Sequence, residues 1–275
     1  MHEDEISLDG LIAPAFYEAH RDVQAHRHIH YSFTGGRGST KSTFVAIEIL
    51  LLLKKNPHCH ALVLRKVAGT LRDSVFSQYI WAAEILGLTS EFEQRLSPLE
   101  LIYKHTGQRI LFRGADDKAK IKSLKMSFGY LGLTHFEETD QFDSRTELRT
   151  ILQSTMRGGD LFWNFETYNP PVRPAHWINR DARQIRSDRF LHHSDYRMVP
   201  RAWLGEQFFA EAACLRQQNE DAYRHEYLGM AVGMGAMVFP NVQLQTLTDE
   251  AVAAFDRIYL GADWGSSIMT QHTAW

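Results

Sequence analysis

Apolar and polar positions alternate along this chain with two periods. His28 to Thr34 is a short apolar-rich run that reads as a strand ending in a glycine loop. From Lys41 to Lys55 apolar residues such as Phe44, Ile47 and Leu51 recur at helical spacing, and Asn56-Pro57 stops the helix. Ala61 to Leu64 is a short apolar run, the mark of a buried strand. Thr70 to Leu88 returns to helical spacing. Leu101–Tyr103 and Arg109–Phe112 predict a hairpin around Thr106-Gly107. Tyr130–Phe136 and Leu161–Thr167 read as two further strands, Trp203 to Tyr227 as helical, and Ile258–Ala262 as a last strand. A short leading helix, Leu8 to Gln24, is broken near Pro14. Strands alternating with helices predict an α/β fold with a largely parallel central sheet flanked by helices.

The chain has 275 residues, enough for one large domain or one domain and the start of a second. A hydrophobic fraction of 44% supplies a sizeable core. The formal net charge of −3 excludes a strongly basic protein, so any nucleic-acid surface must be a local patch. Cys59 and Cys214 carry no disulfide framework. The start Met-His-Glu-Asp-Glu lacks the basic opening of a secretory signal, and the apolar stretch around Ile49–Leu53, interrupted by Glu48, is too short to span a bilayer. A soluble, intracellular protein is expected.

Gly35-Gly36-Arg37-Gly38-Ser39-Thr40-Lys41-Ser42 lies between a predicted strand and a predicted helix, the context of a phosphate-binding loop. Its glycines let the backbone aim N–H groups at phosphates, and the helix N-terminus adds partial positive charge. Lys41 is expected to reach the β- and γ-phosphates of ATP, and the Ser42 hydroxyl to bind Mg²⁺. The general pattern has glycine where Thr40 stands. Either the loop is remodelled there or the position is conformationally undemanding.

The strand Tyr130–Phe136 runs into Glu137-Glu138, which places two carboxylates at the sheet edge that carries the loop. Glu137 is expected in the Mg²⁺ shell and Glu138 as the group that polarises the attacking water, because a carboxylate bound tightly to metal is a poor base. Thr167 and Asn169, at the end of the next strand, are candidates to sense the γ-phosphate, although Asn-Pro-Pro alone also explains a turn. Arg37 could stabilise charge on the transferring phosphoryl group, with Arg149 and Arg157 as weaker candidates. Lys118, Lys120, Lys122 and Lys125 form a basic run that either tracks a phosphate backbone or is a solvated face. The alternating His26, His28 and His30, the pair around Cys59, and His192-His193 find no further ligands for a metal site.

Those residues, together with Leu64-Arg65-Lys66, Asp73-Ser74-Val75-Phe76, Gly114-Ala-Asp-Asp117, Thr167-Tyr-Asn-Pro-Pro171, His225-Glu-Tyr-Leu-Gly229 and Val238-Phe239-Pro240, resemble the large terminase subunits of tailed phages, the PBSX-like group above all. In that group the loop usually reads Gly-Gly-Arg-Gly-Ser-Gly-Lys-Ser. The resemblance covers about Pro14 to Gly265. It implies an ASCE-type P-loop NTPase over residues 1–240, a packaging motor with a helical linker, and the start of an RNase H-like nuclease domain over 241–275. It also implies ATP hydrolysis coupled to translocation of double-stranded DNA. The partners implied are a small terminase subunit and the portal protein of a procapsid, with a homo-oligomeric ring during packaging, in the host cytoplasm and without a membrane. Asp263, in Gly261-Ala-Asp-Trp-Gly265, matches the first metal-binding carboxylate of the nuclease. The remaining acids of a two-metal Mg²⁺ or Mn²⁺ site have no counterpart before Trp275, so DNA cleavage is not expected of this chain. A helicase of the same motor class and an inactive nucleotide-binding remnant are the rival readings.

Overall fold

The computed structural model describes residues 8, 10–116, 121, 124–233, 248, 253, 260, 261, 273 and 274. The chain divides into two compact units, Met1–Met234 and Gly235–Trp275. In the second, Leu260–Gly261 pairs antiparallel with Thr273–Ala274. Asp263 lies outside the described residues, as do Lys118, Lys120 and Lys122.

The first unit is built on an eight-stranded sheet. Its strands are β1 (His30–Gly35), β2 (Cys59–Arg65), β3 (Phe92–Leu96), β4 (Leu99–Tyr103), β5 (Arg109–Gly114), β6 (Tyr130–Glu137), β7 (Trp163–Tyr168) and β8 (Arg189–Ser194). The order across the sheet is β3-β4-β5-β2-β6-β7-β1-β8. From β5 to β8 every pairing is parallel, while β4 and β3 extend one edge as antiparallel strands. The expected α/β class and the hairpin around Thr106-Gly107 are both present. So is the strand arrangement of an ASCE-type NTPase, with β7 standing between the loop strand β1 and the acid strand β6.

The helices are α1 (Tyr17–Gln24), α2 (Lys41–Lys55), α3 (Ser77–Ile85), α4 (Arg145–Thr155), α5 (Trp177–Ala182), α6 (Arg201–Leu204), α7 (Glu206–Gln218) and α8 (Glu220–Glu226). Strand alternation divides the core. On β2, Ala61 and Val63 join the face packed by α1, α2 and α3, and Leu62 and Leu64 join the face packed by α4. Helix α2 is buried almost all round, from Phe44 to Leu53. Each such large apolar side chain contributes about 1.5–3 kcal/mol by leaving water. Glu48, inside this stretch, is fully buried and answered by His20 Nδ1 at 2.6 Å and Gln24 Nε2 at 2.9 Å. A buried carboxylate needs such partners.

The stretch from Thr70 to Leu88 is less uniform than its spacing suggests. A 3₁₀ turn and a π-turn, Arg72–Phe76, precede α3. The helical stretch near Trp203 is cut at Gly205 and Asn219 into α6, α7 and α8. The three alternating histidines do not share a strand face, because β1 begins only at His30 and His26 has φ +50°. Among the described residues no helix is long and apolar enough to cross a membrane.

Candidate nucleotide site

The loop between β1 and α2 is fixed by backbone approach. A Cβ on Gly35 would lie 1.8 Å from the Ser194 carbonyl oxygen, and one on Gly36 would lie 1.9 Å from that of Tyr227. No side chain fits at either position. The Gly36 N–H donates to Ser194 O at 3.2 Å and the Arg37 N–H to Glu226 O at 2.8 Å. The stretch His225–Gly229 thus forms the back wall of the loop. Thr40 adopts φ +59°, ψ 14°, the left-handed region. Its position is therefore demanding, and a β-branched residue meets the demand that glycine meets without strain. The Thr40 Oγ1 is buried and has no hydrogen-bond partner.

Lys41 opens α2, and its Nζ donates to Asn169 Oδ1 at 2.5 Å, to Gly36 O at 3.3 Å and to Ser39 Oγ at 3.4 Å. Burial lowers its pKa to about 8, against the upward pull of Glu137 and Asp140. The end of β6 brings up the acids. Burial pushes Glu137 towards neutrality, but His135, Thr167 and Ser42 all bond to it and hold its carboxyl below the usual value. His135 is wholly buried, with Nε2 3.1 Å from Glu137 Oε2 and 2.9 Å from Thr167 Oγ1, while Tyr79 OH lies 2.9 Å from its Nδ1. With Tyr79 donating to Nδ1, the Nε2 proton faces Glu137 and Thr167. This relay fixes the direction of the Glu137 carboxylate.

Glu138 is held differently. It takes the left-handed conformation, φ +52°, which turns the chain into the 3₁₀ turn Thr139–Gln141. Its carboxylate pairs with the Arg65 guanidinium and accepts from Gln141 Nε2 at 2.6 Å. Arg65, at the end of β2 and nearly buried, donates from Nη1 to Ser74 Oγ at 2.7 Å. Asp140 comes up beside Lys41, and burial raises its pKa.

Lys41, Ser42, Glu137, Glu138, Thr167 and Asn169 line one cavity of about 200 Å³, together with Asp140, Gln141 and Tyr168. Ser42 and Glu137 are hard oxygen donors on one wall, a set that suits Mg²⁺ arriving with phosphate oxygens. No cluster of three or more metal-ligating side chains occurs among the described residues. Arg37 stays outside this cavity, its side chain exposed and its Nε 3.9 Å from Glu226. Arg149, Arg157 and Lys125 are exposed, and none lines the cavity. Arg65, Tyr79, His135 and Asp140 join the site without having been expected there from sequence. Only His135 carried a signal, since the strand period puts it on the same face as Glu137.

The model of the phage terminase large subunit family matches residues 27–230. The large terminase subunit of Bacillus phage SPP1 is 38% identical over 269 residues, covering 95% of this chain and 63% of that protein. The PBSX phage terminase large subunit of Bacillus subtilis strain 168 is 29% identical over 233 residues, covering 78% of this chain and 52% of that protein. The chain therefore spans between half and two thirds of the length of these relatives. Among solved structures, the large terminase of a thermophilic bacteriophage aligns over 96% of this chain and 64% of its own, with a TM-score of 0.67 at 12% identity. The same thermophilic phage protein in complex with ADP aligns over 95% of this chain and 62% of its own, with a TM-score of 0.61 at 14% identity. By the residues that the family model matches, the chain belongs to the phage terminase large subunit family.

Proposed function

We propose that this chain is the ATP-hydrolysing motor of a DNA-packaging machine. The observation that carries the reading is the convergence of Lys41, Ser42, Glu137, Glu138, Thr167 and Asn169 on one cavity at the carboxyl edge of the parallel sheet. The loop amides and Lys41 take the β- and γ-phosphates at the positive end of α2. Ser42 and Glu137 would hold Mg²⁺, which neutralises phosphate charge when bound with the nucleotide. Glu138 accepts a proton from water as its oxygen attacks the γ-phosphorus. The bond to the bridging oxygen breaks, and ADP and phosphate result. Two carboxylates with different partners support this division. Glu137 is locked by the His135 relay, while Glu138 faces Arg65 and the cavity. The bonds of Thr167 to Glu137 and of Asn169 to Lys41 support a role for both in registering loss of the γ-phosphate. Arg37, exposed on the loop, is the candidate for charge stabilisation in the transition state.

Hydrolysis drives double-stranded DNA into a procapsid, with a small terminase subunit, the portal protein and further copies of this chain as partners. Steady-state ATPase measurement tests the catalytic part. Lys41→Ala is expected to abolish turnover and weaken nucleotide binding. Glu138→Gln is expected to keep ATP binding and lose on the order of 10² to 10⁴ in rate, as removal of a positioned base does. Parental turnover in Glu138→Gln would refute the assignment.

A further inference from the structure

Behind the cavity that holds Lys41 and the acids stands a buried row of three groups, Thr167, His135 and Tyr79. Thr167 lines the cavity, but His135 and Tyr79 do not. Both are wholly buried, His135 on β6 and Tyr79 on α3. Parallel pairing sets Thr167 of β7 opposite Glu137, and the strand period puts His135 on the same face of β6 as Glu137. The His135 Nε2 therefore meets two groups at once, Thr167 Oγ1 at 2.9 Å and Glu137 Oε2 at 3.1 Å. The Thr167 hydroxyl itself donates to Glu137, with Phe136 O as a second acceptor at 3.5 Å. Tyr79 OH lies 2.9 Å from His135 Nδ1, and its ring stands edge-on to Phe112, with centroids 5.2 Å apart and planes at 87°.

We propose that Tyr79 and His135 are positioning residues that make nucleotide binding depend on Mg²⁺, by keeping Glu137 aimed while Thr167 and Ser42 turn to the nucleotide and its metal. The assignment rests on the reading of Glu137 as a Mg²⁺ residue. Proton counting gives the contacts their direction. A neutral imidazole carries one N–H. A lone pair on Nε2 would face the Glu137 carboxylate, so the proton sits on Nε2 and Nδ1 accepts from Tyr79. Among the described residues the Tyr79 hydroxyl bonds to nothing else. Thr167 has one hydroxyl proton, and it cannot serve Glu137 and a γ-phosphate oxygen together. Ser42, which also bonds to Glu137, is claimed by Mg²⁺ in the same reading. The Nε2–H is then the donor left to Glu137, and Tyr79, outside the cavity, is what holds that proton in place.

The test is the Mg²⁺ enhancement of nucleotide affinity, the ratio of Kd in EDTA to Kd in Mg²⁺. Isothermal titration calorimetry on the whole chain measures it with ADP and with a non-hydrolysable ATP analogue. Loss of a group that orients a metal-binding side chain typically costs on the order of 10- to 100-fold in metal affinity. Tyr79→Phe keeps the ring against Phe112 and removes only the hydroxyl. It is expected to cut the enhancement about tenfold, more for the analogue than for ADP, and to leave Kd in EDTA unchanged. His135→Phe is expected to cut it at least as far. His135→Gln puts an amide N–H where the Nε2–H stood and is expected to keep most of the enhancement. In that background Tyr79→Phe is expected to cost little, because an amide needs no partner to fix its protons. A Tyr79 that merely packs would cost the same in both backgrounds, and that result overturns the proposal. So does parental enhancement in Tyr79→Phe and His135→Phe where Glu137→Gln abolishes it. If Tyr79→Phe binds in neither buffer, through misfolding, His135→Asn against His135→Gln decides. Asparagine is too short to reach Glu137 and is expected to lose what glutamine keeps, and equal enhancement in the two overturns the proposal. Parental enhancement in Glu137→Gln overturns the Mg²⁺ reading of Glu137 itself, a distinguishable result.

Discussion

Thr40→Gly is expected to make the nucleotide-free protein more stable. Thr40 holds φ +59° with a β-branched side chain. The left-handed region costs an L-residue about 1–2 kcal/mol. Its Oγ1 is buried without a partner, and an unpaired buried hydroxyl costs about 1–3 kcal/mol. Glycine removes both terms but gives back roughly 0.5–1 kcal/mol through the greater freedom of the unfolded chain. Taking the low end for a hydroxyl on an otherwise half-exposed residue, the net gain is about 1–2 kcal/mol. For a domain of this size that raises the melting temperature by roughly 2–8 °C. Thermal or urea unfolding without nucleotide measures it. Thr40→Ala keeps a Cβ in the left-handed region and is expected to gain only the hydroxyl part. The reasoning fails if Thr40→Gly is no more stable than the parent, or if Thr40→Ala matches it, because the backbone would then be storing no strain. Strain kept at such a position is typical of sites shaped for binding rather than for stability.

Burial lowers Lys41 to about 8, while a lysine in the unfolded chain titrates near 10.5. Between these values the unfolded state binds more protons, so the nucleotide-free protein gains stability as pH rises through that window. ADP phosphates favour the charged amine, so binding at pH 8 is expected to take up a fraction of a proton; equal calorimetric heats in buffers of different ionisation enthalpy would exclude this. Arg37→Ala is expected to lower kcat far more than it raises KM, and an unchanged kcat would assign the side chain to solvent. DNA binding is expected to be indifferent to sequence and to weaken steeply with salt. Charge reversal at Lys118, Lys120 and Lys122 is expected to flatten that slope, and an intact slope would move the DNA path elsewhere.

Helix α2 and strands β1, β2, β6 and β7 were legible because each is a buried apolar run, closed by Gly35 in β1, Asn56-Pro57 after α2, Arg65-Lys66 at the end of β2, Glu137-Glu138 at the end of β6 and Asn169-Pro170 after β7. Strands β3 and β8 were not. Phe-Glu-Gln-Arg-Leu is mostly exposed at the sheet edge, and Arg-Phe-Leu-His-His-Ser closes the other edge with its buried Arg189 paired to Asp181 at 2.6 Å. Edge strands carry too few apolar residues to announce themselves. Helix α4 went unread, although Ser144 and Glu147 stand in capping-box spacing and the Ser144 hydroxyl accepts from the Glu147 N–H at 3.3 Å. The loop and the acids were readable as local motifs. Arg65, Ser74 and Tyr79 were not, since their roles arise only when β2 and α3 fold against the end of β6. The segments Leu64–Lys66 and Asp73–Phe76, noted for family likeness, meet in the Arg65–Ser74 bond that steadies Glu138.

The carbonyls of Ser194 and Tyr227 behind Gly35 and Gly36 bear on the order in which the protein acquires its chemistry during synthesis. The loop is made early and its back wall late. At cellular rates of about 5–20 residues per second, the motif waits seconds to tens of seconds for the chain that packs behind it. A nascent chain carrying all of Gly35–Ser42 has the letters of a nucleotide site but not yet its shape. The wall behind the loop is complete only with His225–Gly229, so premature termination before that stretch is expected to leave the loop without its backing.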